Sequence, residues 1–258
     1  MMAARVPFHL RWPHYLLAVL VYLTLLLAWA PASLLAWVLP QLTRQTVWLD
    51  QAQGSVWRGE AAGVQVQVAT GPELQLGHLS WQLKPFDFFT GRLGYRLKLG
   101  GVGIDAEGAL RVGVKDVVLS EVRAELPASM MERVSPDLAL WQPGGHLVLE
   151  TNRFVFKREG VDGEATLLWR DAVSGRLRLS LGSYRTDIEG TGNTLGLELT
   201  TESGPLFLQG SGKWNHQRGM TFNGTARVTP GHQTEMDELL GLIGPADVDG
   251  SRAIRIGR

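Results

Sequence analysis

The sequence predicts a mainly β protein: one N-terminal transmembrane helix followed by a large curved antiparallel β-sheet, with two short helices and a β-sandwich as the alternative closure. Three observations carry this expectation. An uncharged apolar run fills residues 15–39. Strict two-residue alternation dominates beyond residue 50. Turn residues punctuate that alternation at hairpin spacing rather than at the spacing of helix crossovers.

The run from Tyr15 to Leu39 holds no charged residue. About 20 apolar residues in helix cross a ~30 Å hydrocarbon layer, so the run predicts a single spanning helix. Trp12, Tyr15 and Trp37 near its ends suit the membrane interface. Arg5 and Arg11 precede it and the next charge is Arg44, which predicts that the short tail stays cytoplasmic. The domain reading is a cytoplasmic tail at 1–14, a transmembrane helix at 15–39 and a periplasmic β-rich domain at 40–258. A cleaved signal peptide is the alternative, with Ala28-Trp29-Ala30 as the small-x-small site. The length of the run and Pro31 directly after that site both argue for an uncleaved anchor.

Val64, Val66 and Val68 alternate with Gln65 and Gln67. Tyr95, Leu97 and Leu99 alternate with Arg96 and Lys98. The same pattern recurs at Leu177–Leu181 and at Leu195–Leu199. A period of two puts one set of side chains on each face of a sheet, and one apolar with one wet face marks antiparallel strands. Thr70-Gly71-Pro72, Gly100-Gly101, Pro143-Gly144-Gly145, Val161-Asp162-Gly163 and Ser203-Gly204-Pro205 read as turns. The count is eleven or twelve strands. Ala128–Val134 and His232–Ile243 read as short helices, the second capped by Thr234 ahead of Asp237 and Glu238.

Composition narrows the chemistry. The 258 residues hold 25 basic and 25 acidic side chains, without the basic footprint of a nucleic-acid binder. There is no cysteine, so disulfides, thiolate metal sites and cysteine nucleophiles are excluded. Gly101-Val102-Gly103-Ile104-Asp105-Ala106 fits a dinucleotide fingerprint, but alternating, glycine-broken sequence follows where a helix is needed; it reads as a strand turn. The six histidines are scattered without ligand spacing, and neither Gly182-Ser183-Tyr184 nor Gly210-Ser211-Gly212 is a nucleophile elbow. Asp105 with Glu107, and Asp187 with Glu189, read as carboxylates sharing a strand's solvent face. Asn223-Gly224-Thr225 is a glycosylation sequon that reads here as a turn. No enzyme, metal or cofactor is expected. Trp48, Trp57, Trp81, Trp141, Trp169 and Trp214 read as core or groove-lining packing, an exposed aromatic surface being the alternative.

Gly54-Ser55-Val56-Trp57-Arg58-Gly59-Glu60-Ala61 resembles the G-[ST]-V-W-x-G-x-A signature of protein N of the bacterial type II secretion system, the general secretion pathway protein N family. Agreement continues in order. Leu79-Ser80-Trp81-Gln82-Leu83-Lys84-Pro85, followed by Thr90-Gly91-Arg92-Leu93, resembles the family's L-x-W-x-L-x-P…G-x-L element. Leu181-Gly182-Ser183-Tyr184 is similar to its LG-x-Y. Gly204–Gly210 with Trp214 resembles its G-x-L-x-L-x-G strand, and Leu239-Leu240-Gly241 with Asp249-Gly250 its ending. The signature residues are thus Gly54, Val56, Trp57, Gly59, Ala61, Trp81, Pro85, Gly91, Gly182, Tyr184, Gly210, Trp214, Leu240, Gly241 and Gly250, all in structural roles.

The resemblance implies a single-pass accessory subunit in the inner membrane of a Gram-negative bacterium. Its body would be periplasmic and would contact other type II secretion subunits in the export of folded proteins. The family has no known catalytic residues, and none is carried over. Independently of it, many strands offer an apolar face while little helical sequence is available to cover them, which makes a lipid-binding or lipid-transfer groove the second expectation.

Overall fold

The computed structural model describes residues 12–67, 73–84, 87, 91–134, 139, 141–215, 217–233, 236, 240–241, 244–247 and 250–257. Two helices lead, α1 (Trp12–Ala28) and α2 (Ser33–Leu42). The predicted single helix over 15–39 is therefore broken, and among the described residues no helix is long and apolar enough to cross a membrane. At 17 residues, α1 is about 25 Å long at 1.5 Å per residue. The break falls at Trp29–Ala32, where Pro31 forms an isolated bridge with Ser55. Proline has no N–H to donate and its ring clashes with the carbonyl four residues back. The sequence suggests a kink there; the partner that turns the kink into a break lies 24 residues downstream. Every described side chain of α1 is exposed.

Fourteen strands follow, more than the eleven or twelve expected: β1 (Val47–Asp50), β2 (Gln53–Gly54), β3 (Arg58–Val66), β4 (Leu74–Lys84), β5 (Leu93–Gly101), β6 (Ile104–Val112), β7 (Asp116–Pro127), β8 (Pro143–Lys157), β9 (Gly160–Ser174), β10 (Leu179–Gly192), β11 (Thr194–Ser203), β12 (Leu206–Asn215), β13 (Gly219–Val228) and β14 (Arg252–Ile256). They form one antiparallel sheet in which β3 to β14 lie in chain order, with β1 and β2 both on the outer edge of β3. The expected single sheet is what forms, and the sandwich alternative is set aside. A 3-10 turn at Ala128–Met130 and α3 (Met131–Val134) occupy the first predicted short helix. Of the second, Thr234, Asp237 and Glu238 lie outside the described residues, while Gln233, Met236, Leu240 and Gly241 are helical.

Three predicted turns are strand instead, Gly100-Gly101 as the end of β5 and the other two deeper in theirs, while Thr70-Gly71-Pro72 lies outside the described residues. Gly145 and Gly163 sit inside β8 and β9 with φ of +93° and +141°, where a Cβ would meet the Arg170 and Arg153 carbonyls. Asn223-Gly224-Thr225 also lies within a strand, β13, and not in a turn.

The register gives the sheet two distinct faces. Ala61, Leu79, Leu99, Ala106 and Ala124 lie side by side on β3–β7. Their row continues through Leu149, Leu167, Thr186 and Leu199, then the glycines 210 and 224, to Ile254 on β14. One residue along, the opposite face carries a polar row that includes Glu60, Lys98, Glu107, Arg123, Glu150, Asp187 and Glu198. Pairs Lys98–Glu107 (3.4 Å) and Arg123–Glu150 (3.0 Å) bridge neighbouring strands there.

The sheet curls. One strand separates β9 from β11, and β10 from β12, yet each pair comes within 8 Å at Cα, whereas a flat sheet keeps them ~9.5 Å apart. Register shifts between β6 and β7 and among β8, β9, β10 and β11 add local bends. Among the described residues the apolar face is thereby half-buried by its own neighbours, by Met131 and Trp141 of the β7–β8 connection, and by segments at its two ends. At the N-terminal end Ala32 and Leu35 pack with Ala61 and Trp81. At the C-terminal end Met236 and Leu240 pack with Ala172, Leu181, Tyr184, Leu206, Ala226 and Val228.

Candidate functional site

The signature residues Gly54 to Ala61 form a tight hairpin between β2 and β3. Gly54 enters it at φ +88°, and a Cβ there would lie 2.7 Å from the Arg58 carbonyl. The Ser55 N–H donates to that carbonyl (2.9 Å) and the Ser55 hydroxyl accepts from the Arg58 N–H (3.1 Å). The hairpin tip then faces the helix break. Val56 N–H donates to the Ala30 carbonyl (2.9 Å), Ala32 N–H donates to the Gly54 carbonyl (3.0 Å), and the Trp57 indole N–H donates to the Ala28 carbonyl (3.0 Å). A helix end leaves carbonyls without intrahelical partners. Here the signature supplies them, so the hairpin is a clamp on the α1–α2 junction.

Trp81 holds the clamp from beneath. Its indole, 4 % exposed, lies across Gly59, where a Cβ would sit 2.6 Å from the ring. Its N–H donates to the Ser55 carbonyl (3.1 Å). The flanking glycines of the signature are thus explained separately, Gly54 by backbone conformation and Gly59 by the ring above it. On the polar face beside the clamp, Arg58, Glu60, Gln82, Arg96 and Lys98 line a cleft of about 500 Å³. Glu60 pairs with His78 (3.7 Å) and Lys98 with Glu107; Arg58 and Arg96 enter no ion pair among the described residues.

The later motifs assemble the other end. Gly182 and Gly204 bring β10 and β11 so close that a Cβ on Gly204 would lie 2.3 Å from the Gly182 Cα. Tyr184, 3 % exposed, shares its hydroxyl hydrogen between the Leu181 (2.9 Å) and Leu206 (3.0 Å) carbonyls. Burial pushes that phenol well above its usual range, so it stays a donor. The Tyr184 ring packs 5.9 Å from that of Trp169, beside an apolar cavity of about 250 Å³ bounded by Trp141, Leu206, Leu208 and Ile254.

The structure therefore gathers the signature residues into two groups. Gly54, Val56, Trp57, Gly59, Ala61 and Trp81 meet at the clamp; Gly182, Tyr184 and Leu240 meet at the C-terminal cluster. Gly210 belongs to a different device, in which the Phe222 ring lies over Gly210, Gly212 and Gly224 and a Cβ on any of them would approach within 2.9 Å. Trp214 sits towards the far end of β12, 38 % exposed. Gly91 is in the turn before β5, and Gly91, Gly241 and Gly250 have open space where a Cβ would go. Pro85 lies outside the described residues. Of the tryptophans, Trp81 is buried, Trp57, Trp141 and Trp169 are half-buried, and Trp48 and Trp214 are exposed. Sequence reasoning read Ala28-Trp29-Ala30 only as the site of an alternative cleavage and passed over Ala32; the structure has the clamp grip all three. Sequence reasoning also missed Phe222. The carboxylate pairs form no acid/base unit: Asp187 is bonded to Arg185 (2.9 Å) and Glu107 to Lys98.

The fold and its two clusters define a single-sheet β scaffold attached to apolar helices. The family described as "Type II secretion system (T2SS), protein N" matches residues 45–255, and the chain belongs to that family, a component of the secretion system. It is 29 % identical over 245 residues to the type II secretion system protein N of Klebsiella pneumoniae, covering 91 % of this chain and 90 % of that one. No solved structure matches it.

Proposed function

We propose that the chain is an accessory inner-membrane subunit of the type II secretion system, supporting export of folded periplasmic proteins across the outer membrane through protein–protein contacts. Family membership over most of the chain carries this reading. The α1 helix acts as the anchor. Its described side chains are exposed and, His14 and Thr24 aside, apolar, a surface that water does not stabilise. Arg5 and Arg11 keep the tail cytoplasmic and the sheet periplasmic. The cleft around Arg58 and Arg96 is the contact surface, matched to an acidic patch on another subunit. Deleting the gene lowers exoprotein in the medium, and a photocrosslinker at Arg58 or Arg96 in intact cells captures a second subunit. Unchanged secretion with no subunit captured sinks the reading.

The apolar face, covered in part among the described residues, supports a second reading, a periplasmic lipid-binding or lipid-transfer groove. Native mass spectrometry of the full chain tests it by detecting copurified lipid.

A further inference from the structure

One row of the apolar face, the central one, stays in register across the strands, from Ala61 on β3 to Ile254 on β14. Shorter runs flank it: Trp81, Leu97 and Gly108 on β4–β6; Ile188, Leu197, Gly212 and Phe222 on β10–β13; and Leu147, Trp169, Tyr184 and Thr201 on β8–β11 with Leu208, Ala226 and Arg252 on β12–β14. The bulges between β6 and β7 and between β8 and β9 interrupt them. The face offers a visitor almost no directional bond. Backbone donors and acceptors are used in the ladders, and three of the hydroxyls turned to this side are bonded to the sheet's own carbonyls, Thr151 to Glu164, Thr201 to Leu208 and Tyr184 to Leu181 and Leu206, leaving Thr186 in the central row as the exception. In these rows the one charge is Arg252, at the last strand, bonded to the Gly244 carbonyl. Protein interfaces carry about one hydrogen bond per 100–200 Å²; this surface is suited to a ligand that makes none.

We propose that these rows form a path for the acyl chains of membrane phospholipids, leading from the α1–α2 junction across the sheet to the cavity that Ile254 of β14 borders, where the C-terminal cluster closes the face. The inference rests on the lipid-groove reading and specifies its extent. Continuity supports the occupant, because the face begins at Ala61 and Trp81, against which α2 packs, directly after the exposed apolar α1. Length decides between a binding pocket and a path. Eleven strand spacings from β3 to β14 at ~4.8 Å make an arc of at most ~53 Å, shortened on this face by the curl, while one leaflet of hydrocarbon is ~15 Å deep, half of ~30 Å. One lipid covers only part of it. The 250 Å³ cavity near the far end falls below the ~300 Å³ lower bound for whole-ligand pockets and suits the end of a chain.

The test places the photocrosslinker p-benzoylphenylalanine at Leu79, Leu167 and Ile254 on the apolar face, and at Ser80, Thr166 and Arg255 on the polar face. The full chain is reconstituted in vesicles of phosphatidylethanolamine and phosphatidylglycerol. Phospholipid adducts are expected at all three apolar positions, at least about tenfold above their polar neighbours. Adducts at Leu79 alone overturn the path while leaving the groove reading standing; adducts nowhere overturn both. In intact cells, a protein captured at the apolar positions in place of lipid overturns the proposal. Leu199→Glu puts a charge in the middle of the central row. It is expected to abolish the Ile254 adduct and spare the Leu79 adduct, which also reports that the variant is folded. An undiminished Ile254 adduct in that variant shows that chains arrive by another route and overturns the path.

Discussion

The two ends of the sheet are held by different means. At the N-terminal end the contiguous buried cluster is Ala32, Ala61 and Trp81, and the attachment of the helices depends on hydrogen bonds from the signature hairpin. At the C-terminal end eight buried residues form an apolar cluster around Tyr184 and Leu206, with few polar contacts. Hydrogen bonds fix direction and register, whereas apolar burial is non-directional and fixes adhesion. The N-terminal end is therefore built to aim the sheet relative to its helices, and the C-terminal end to close it.

Removing the ring beneath the clamp tests this contrast most severely. Trp81→Ala is expected to cost about 3–5 kcal/mol in urea unfolding of the full chain in detergent. Hydrogen exchange should rise at residues 28–35 and 54–61, while β9–β13 remain protected. Equal loss at both ends would dissolve the distinction. Phe222→Ala, which empties the space over three glycines, is expected to cost a similar amount, at the lower end of that range. Its exchange signature should fall instead on β12–β14.

Tyr184→Phe comes next, at about 1–3 kcal/mol, because it leaves buried carbonyls without a donor. Its effect should be confined to the C-terminal cluster, with the amide of Val56 unchanged. Trp57→Phe is expected to cost about 1 kcal/mol and to speed exchange at the helix junction alone. The smallest effect is assigned to Glu107→Gln on the polar face, where the ion pair with Lys98 is exposed; such pairs contribute about 0–1 kcal/mol, and the difference should vanish in high salt.

Much of the sheet was legible in the sequence because its two faces differ so plainly. Leu97 and Leu99 beside Arg96 and Lys98, or Leu197 and Leu199 beside Glu198, state the period and the orientation together. The strand count fell short partly because β1 and β2 have four and two residues, too short for alternation to register. Glycine misled in both directions. Gly145 and Gly163 looked like turns, but their job is close approach within the sheet. The bends at Glu121 and Asp171 gave no signal, because both are non-glycine residues at positive φ (52° and 49°) held there by neighbouring strands. The clamp was half legible: its motif was visible, but the grip on Ala28, Ala30 and Ala32 depends on a contact between segments more than twenty residues apart.

Strand order that follows chain order has a consequence for how the protein is made. From β4 onward, each strand finds its first pairing edge in the strand synthesised just before it, so pairing never waits for a distant segment. Short loop closures cost little entropy and favour rapid zippering. A chain delivered from its N-terminus can add strands one at a time, as bricks are laid along a course. Growth proceeds at one edge while β1 and β2 occupy the other, and the short, arginine-bearing β14 is the last of the described strands to be laid.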